Sequence, residues 1–266
     1  MSRSPIARAL PALLLAAVIL VAWESYVRAA EVRPQVLPAP SRVLTEGWAF
    51  RDLIWSHVVP TLGETAIGFS LAILVGTAAA VGIDFSLTVR RALYPVLVAS
   101  QAIPVVAVAP LLVLGFGFGI VPKALVVALV TFFPITVGWV DGFAATERAA
   151  SNLLRSMGAS RWQVFRLVRV PGALPSFFSG LRIAITYAVV GAIFAEYVGA
   201  KRGLGIFMQL QQNAFRTDLV MAAVAVTAVI SVALFLATYA VERASIPWHA
   251  AARAARGGSA TNGNAR

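Results

Sequence analysis

Among the polar side chains that fall inside mainly apolar stretches, four stand out: Glu64, Gln101, Tyr187 and Glu196. A polar or ionisable group at bilayer depth is costly unless it faces a cavity or a partner, which makes these four the candidate pathway residues. They offer hydrogen bonding and charge recognition of a small solute, not bond making. Each also has a plainer reading. Glu64 falls early in its stretch and Glu196 late, where both fit an outer interface in water, and Gln101, six residues past Pro95, could bond a carbonyl that the proline frees. Other chemistries lack residues. The chain has no cysteine and only two histidines, His57 and His249, far apart in sequence, so disulfides, thiolate catalysis and His/Cys metal sites are unsupported. It has no Gly-x-x-x-x-Gly-Lys-Ser/Thr run to cradle nucleotide phosphates, and the alternation Gly115, Gly117, Gly119 reads as a hairpin rather than a dinucleotide fingerprint. No catalytic, cofactor-binding or metal residue is expected in this chain.

The elements that must position those residues follow from composition. Of 266 residues, 59% are hydrophobic and 12% charged, more apolar surface than one soluble domain can bury. A transmembrane helix needs about 20 apolar residues. Six such stretches occur, at 9–27, 58–83, 92–114, 120–141, 176–198 and 219–241. The expected fold is therefore an all-α membrane protein of about six transmembrane helices. Pro95, Pro104 and Pro110 punctuate the third stretch, and Pro122 and Pro134 the fourth, which predicts kinked inner helices. The net charge of +11 fits loops facing anionic lipid better than nucleic acid, which is not an expected partner. With the amino terminus inside, thirteen Lys/Arg lie in cytoplasmic segments and eight outside, which orients both termini to the cytoplasm. A cleaved signal peptide over the first stretch is the alternative to a retained span.

Three further segments complete the organisation. After Pro34, Pro38 and Pro40, residues 41–57 carry Trp48, Phe50, Leu53, Ile54 and Trp55 among polar residues, the pattern of a helix either lying at the membrane interface or packed on the bundle. Residues 249–266, rich in Ala, Gly, Ser and Asn, are expected to be a disordered cytoplasmic tail beyond a transmembrane domain, 1–248. The longest cytoplasmic segment, about 142–175, contains two amphipathic helical patterns around a glycine. Leu153, Leu154 and Met157 recur at helical spacing before Gly158; Trp162, Phe165 and Val168 do so after it. Gly158 ends the first helix, Ser160 caps the second, and Pro171 and Pro175 are expected to end the element before the fifth span. Asp141 and Arg182 flank the segment and are expected to hold it in place, with an anionic partner for Arg182. A connection between spans needs only a few residues. A helix, turn, helix projection with apolar positions outward suggests a docking surface for another protein.

Here the sequence resembles the membrane subunits of binding-protein-dependent ABC importers. Their cytoplasmic loop has Glu-Ala-Ala, three residues, Gly, nine residues and an Ile-x-Leu-Pro ending; nine residues after Gly158 comes Val168-Arg169-Val170-Pro171, while Asn152-Leu153-Leu154 replaces Glu-Ala-Ala. Ile103-Pro104, Ala109-Pro110-Leu111, Phe132-Phe133-Pro134, Gly203-Leu204-Gly205 and Glu242-Arg243 look like the nitrate, sulfonate and taurine permease group. The stretches 173–184 and 191–200 look most like permeases for the thiamine pyrimidine precursor, with riboflavin permeases similar. The resemblance implies an inner-membrane permease subunit, not itself an enzyme, with a second copy of the chain, ABC ATPase subunits that bind ATP and Mg, and an extracytoplasmic solute-binding protein as partners. It also implies that Leu154, Met157, Gly158, Ala159, Ser160 and Trp162 form the ATPase-coupling element. Secondary transporters and membrane-integral enzymes are the other classes, but neither repeated halves nor a convergent catalytic set is evident.

Overall fold

The computed structural model describes residues 5–247, with side chains from Leu10 onward, and the segment expected as a tail, 249–266, lies outside the described residues. Every regular element among them is helical: α1 (Pro5–Ala29), α2 (Pro40–Ala49), α3 (Arg51–Phe85), α4 (Leu87–Ala102), α5 (Val105–Phe116), α6 (Ile120–Ala145), α7 (Arg148–Ser156), α8 (Arg161–Val164), α9 (Val170–Glu196), α10 (Leu204–Asn213) and α11 (Thr217–Ser245). Five helices are long and apolar enough to cross a membrane, or six if α4 and α5 count as one broken span. The all-α membrane architecture is as expected.

The elements depart from expectation at two places, one a proline and one an aromatic residue. The third stretch is not one kinked helix: α4 and α5 meet at 103° across Ile103 and Pro104. Pro104 removes a donor and forces Ile103 into extended backbone (φ −79°, ψ 119°), which a helix cannot continue through. Pro134, by contrast, sits inside α6 without ending it. The expected single helix over 41–57 is two pieces, since α2 stops at Ala49, Phe50 leaves helical geometry (φ −103°, ψ 18°), and the residues from Arg51 on begin the 35-residue α3. At 1.5 Å per residue α3 is about 52 Å long, more than a bilayer core requires.

The chain forms two compact units. One comprises the residues up to Pro60 with Lys201–Ala228. Polar ties hold it. Glu24 accepts from Arg28 Nε (2.6 Å) and from the Ser41 backbone (3.0 Å), and Asp218 accepts from Arg42 (3.1 Å) and Arg216 (2.9 Å). Arg216 also reaches Glu46 at 2.7 Å, and the Asp218 hydrogen bond pushes its guanidinium pKa upward. His57 lies in the same unit against the Phe207 ring, its Nδ1 3.1 Å from the Gly203 backbone nitrogen.

The other unit comprises Thr61–Ala200 and the chain from Val229 on. Its centre is α6 packed against α9 around Ile135, Trp139, Phe143, Ala173, Phe177, Phe178 and Ala184. Glycines bring the two backbones together. A Cβ on Gly142 would stand 2.7 Å from the Ala173 carbonyl oxygen, one on Gly138 3.0 Å from the Ser176 carbonyl oxygen, and one on Gly180 would collide with the Pro134 carbonyl. Lipid gives helices little hydrophobic reason to associate, so close backbone approach through small residues supplies the packing. Gly142→Ala is therefore expected to destabilise the protein in detergent by about 1–3 kcal/mol, as overpacking does. Gly63→Ala, at a site with no neighbour within 4 Å, should leave the melting temperature unchanged.

Candidate functional site: a capped projection and a membrane cavity

The segment between α6 and α9 folds as the sequence predicts up to its second helix. Gly158 adopts φ +85°, a conformation that costs a side-chain-bearing residue about 1–2 kcal/mol. Its N–H donates to the Arg155 carbonyl (3.0 Å) and the Ala159 N–H to the Leu154 carbonyl (3.0 Å), a Schellman ending for α7. Ser160 then accepts from the Gln163 N–H (3.2 Å) while Gln163 Oε1 accepts from the Ser160 N–H (2.7 Å), closing a capping box. Both helix ends at the turn are thus satisfied internally, so the turn is rigid. It presents Leu153, Met157 and Trp162 at 62%, 74% and 59% exposure, with Leu154 and Ala159 half-buried.

The prolines do not end the element. The chain runs without a break from Arg161 to Glu196, through a single π turn at Phe165–Arg169. Pro171 falls in the first turn of α9, where its missing N–H is tolerated, and the wider π turn absorbs the register change. The projection is consequently continuous with the fifth span.

Its anchors are also different from those expected. Asp84, at the end of α3, pairs with Arg169 at 2.7 Å; Arg161 donates to the carbonyls of Asp84 (3.3 Å) and Phe85 (2.6 Å), a cation on a helix C-terminus, and its guanidinium lies 4.8 Å from the Phe85 ring centroid. Phe165 is buried against Phe85 (4.9 Å) and Phe143 (5.4 Å). Asp141 and Arg182 do not hold the segment. Arg182 pairs with Glu242 of α11 and donates to Ser179 (3.1 Å), which supplies the anionic partner expected for it, and Asp141 lines a cavity. The Asp84 contact was hidden in the sequence because 77 and 85 residues separate it from its two arginines, though an acid directly after an apolar stretch is a visible signal.

That cavity, about 680 Å³, lies between α4, α5, α6 and α9. Apolar side chains make most of its wall, and Ser100, Gln101, Asp141, Ser176, Ser179 and Tyr187 supply its polar groups. Two of the four pathway candidates, Gln101 and Tyr187, meet there. Glu64 and Glu196 do not. They belong to a buried cluster in which Lys123 Nζ lies 2.5 Å from Glu64 Oε1 and Thr61 Oγ1 donates to Glu196 Oε1 at 2.6 Å. Glu64 is 4% exposed and Glu196 0%, so neither is at a watery interface. Among the described residues no group of three or more His, Asp or Glu is placed to hold a metal, and His249 lies outside them.

A broken-span cavity wall and a rigid projection continuous with a membrane helix define a transporter's membrane component, and the comparisons agree. Residues 72–248 match the family described as the binding-protein-dependent transport system inner membrane component. The chain belongs to this family, the permease subunits of ABC importers, in which partner subunits hydrolyse ATP. It is 38% identical over 231 residues to the formylaminopyrimidine transport permease of Halalkalibacterium halodurans, covering 86% of this chain and 92% of that one. The riboflavin permease of Chloroflexus aurantiacus is 36% identical (87% of each chain), and the taurine permease of Escherichia coli 32% (88% and 87%). The fold resembles a chain of the MetNI methionine ABC transporter with TM-score 0.65 at 17% identity, covering 74% of this chain and 97% of that one.

Removing one partner of a buried ion pair costs about 3–5 kcal/mol because the other charge is left uncompensated. Lys123→Met should therefore lower the melting temperature of the purified protein sharply. Adding Glu64→Gln to it should restore most of the loss, and simple additivity of the two changes in the melts would contradict the pairing.

Proposed function

We propose that this chain forms the solute pathway of its importer and that the α7–Gly158–α8 turn is the element that docks the ATPase subunits. The observation that carries the reading is continuity: one helical run, 161–196, starts at the exposed apolar turn and ends beyond the wall of the cavity that holds Gln101 and Tyr187. A displacement imposed at Trp162 is thereby delivered along one helical run to Ser176, Ser179 and Tyr187, and the capped turn links Met157 to the start of that run. ATP with Mg closes the partner subunits, the projection moves with them, and the cavity alternates its access as a two-state element. Leu154, Met157, Gly158, Ala159, Ser160 and Trp162 form the coupling surface. The complex holds two copies of this chain, with an extracytoplasmic binding protein delivering the solute.

The solute is a small pyrimidine of the thiamine-precursor type. The formylaminopyrimidine permease supports this by identity and by coverage, and a cavity of about 680 Å³ falls within the size of small-molecule sites. Riboflavin, taurine, other sulfonates and nitrate are the alternatives within the same family. Both termini and residues 142–175 lie in the cytoplasm.

Two measurements test this reading. A cysteine at Ser160, in a chain that has none of its own, should react in intact cells only with membrane-permeant reagents; labelling by an impermeant one would invert the orientation. Gly158→Asp adds about 1–2 kcal/mol of backbone strain and a carboxylate in the docking surface. Membrane abundance should stay near normal while ATP-driven uptake is abolished. Gly158→Asn, which suits a left-handed backbone and adds no charge, should lower uptake far less.

A further inference from the structure

The cavity has an electrostatic character that its size does not convey. Its wall carries one charged side chain, the Asp141 carboxylate, together with the aromatic rings of Phe133 and Tyr187 and the amide of Gln101. Arg182 is the cation that reaches a wall residue, donating to Ser179 at 3.1 Å, and Glu242 neutralises it. The Asp141 carboxylate is exposed at that wall, where it attracts cations and N–H donors and repels anions. A sulfonate or nitrate entering here meets that carboxylate and, among the residues lining the cavity, no ammonium or guanidinium to offset it. An amino-substituted heterocycle meets complementary groups instead. Its exocyclic N–H can donate to Asp141, its ring nitrogens can accept from Gln101, and its faces suit the two aromatic rings.

We infer that this cavity admits neutral and cationic amino-heterocycles and turns away anions, and that Asp141 is the specificity-determining residue for that rule. The inference rests on the cavity being the solute pathway. It also separates the pyrimidine solute from the alkanesulfonate and nitrate alternatives on grounds independent of sequence identity, because those are anions, whereas zwitterionic taurine carries an ammonium as well.

The test uses the whole complex, permease with its ATPase subunits, in lipid nanodiscs and in proteoliposomes with its binding protein. Ser176→Cys places a single cysteine in the permease at the cavity wall, and the rate of its alkylation by neutral N-ethylmaleimide is measured with 4-aminopyrimidine, 1-methylpyridinium or benzenesulfonate present. The two nitrogen heterocycles should protect at concentrations about tenfold or more below benzenesulfonate, a difference worth about 1.4 kcal/mol. Asp141→Asn should bring the three probes to within about twofold, and Asp141→Glu should keep the original order. Equal protection by benzenesulfonate in the unaltered Asp141 background, or an order unmoved by Asp141→Asn, overturns the charge rule. Uptake by the alkylated complex tells the two readings apart. Loss of ATP-driven uptake after alkylation upholds the pathway whatever the probes do, whereas full uptake after complete alkylation removes the pathway reading and the inference with it.

Discussion

The backbone contact between α6 and α9 is the constraint from which the cavity and the projection follow. Gly138, Gly142 and Gly180 let the two helices approach until a single added carbon would strike the carbonyls of Ser176, Ala173 or Pro134. Helices joined by a long connection ordinarily leave that connection free to wander. Here the two ends of the segment 146–169 are pinned side by side, so it must fold back on itself and project as a hairpin. The same contact makes one wall of the cavity, where Gly138 and Gly180 stand beside Ser176, Ser179 and Asp141. Site and projection are therefore two consequences of one close packing.

Rigidity then decides what the projection can do. The Schellman ending at Gly158 and the capping box at Ser160 satisfy the backbone at the turn, so ordering it against a partner costs little further entropy. Asp84, Arg161 and Arg169 fasten its base to the end of α3, and Phe165 fills the space beneath. The π turn keeps the helix unbroken through Pro171. At the far end of α9, Glu196 is held by Thr61 next to the Lys123–Glu64 pair, where two carboxylates and an ammonium are withdrawn from solvent. One helix is thus tied at its first turns to α3 and at its last to α3 and α6, and its middle lines the cavity.

The spans, the glycine turn and the Ser160 cap were legible because each depends on local chemistry: apolar length, a left-handed backbone position, a hydroxyl before a helix. The prolines were not. Pro104 breaks a span, Pro134 leaves one intact and Pro171 is passed through, and the difference lies in the backbone around each: Ile103 turns extended before Pro104, whereas a π turn precedes Pro171. The pathway candidates divided for a related reason. Polarity within an apolar stretch picked out Glu64, Gln101, Tyr187 and Glu196 alike, but whether such a group faces a cavity or a buried partner is set by helix rotation. Gln101 and Tyr187 face the cavity; Glu64 pairs with Lys123, which stands near the start of the fourth apolar stretch. Its place beside the loop points to Asp141 as a clamp, whereas Asp84 is the residue that clamps, with arginines 77 and 85 residues away in the sequence.

The central claim is that the turn around Gly158 meets an ATP-hydrolysing subunit and passes its motion into the membrane. The most direct measurement replaces Met157, 74% exposed at the tip, with a photoreactive benzoylphenylalanine in the otherwise intact chain and identifies the crosslinked species by mass spectrometry. The account predicts a single adduct to a subunit bearing a nucleotide-binding P-loop, formed in a yield that changes when ATP is added. Crosslinks confined to lipid, or to a protein on the opposite face of the membrane, would contradict it.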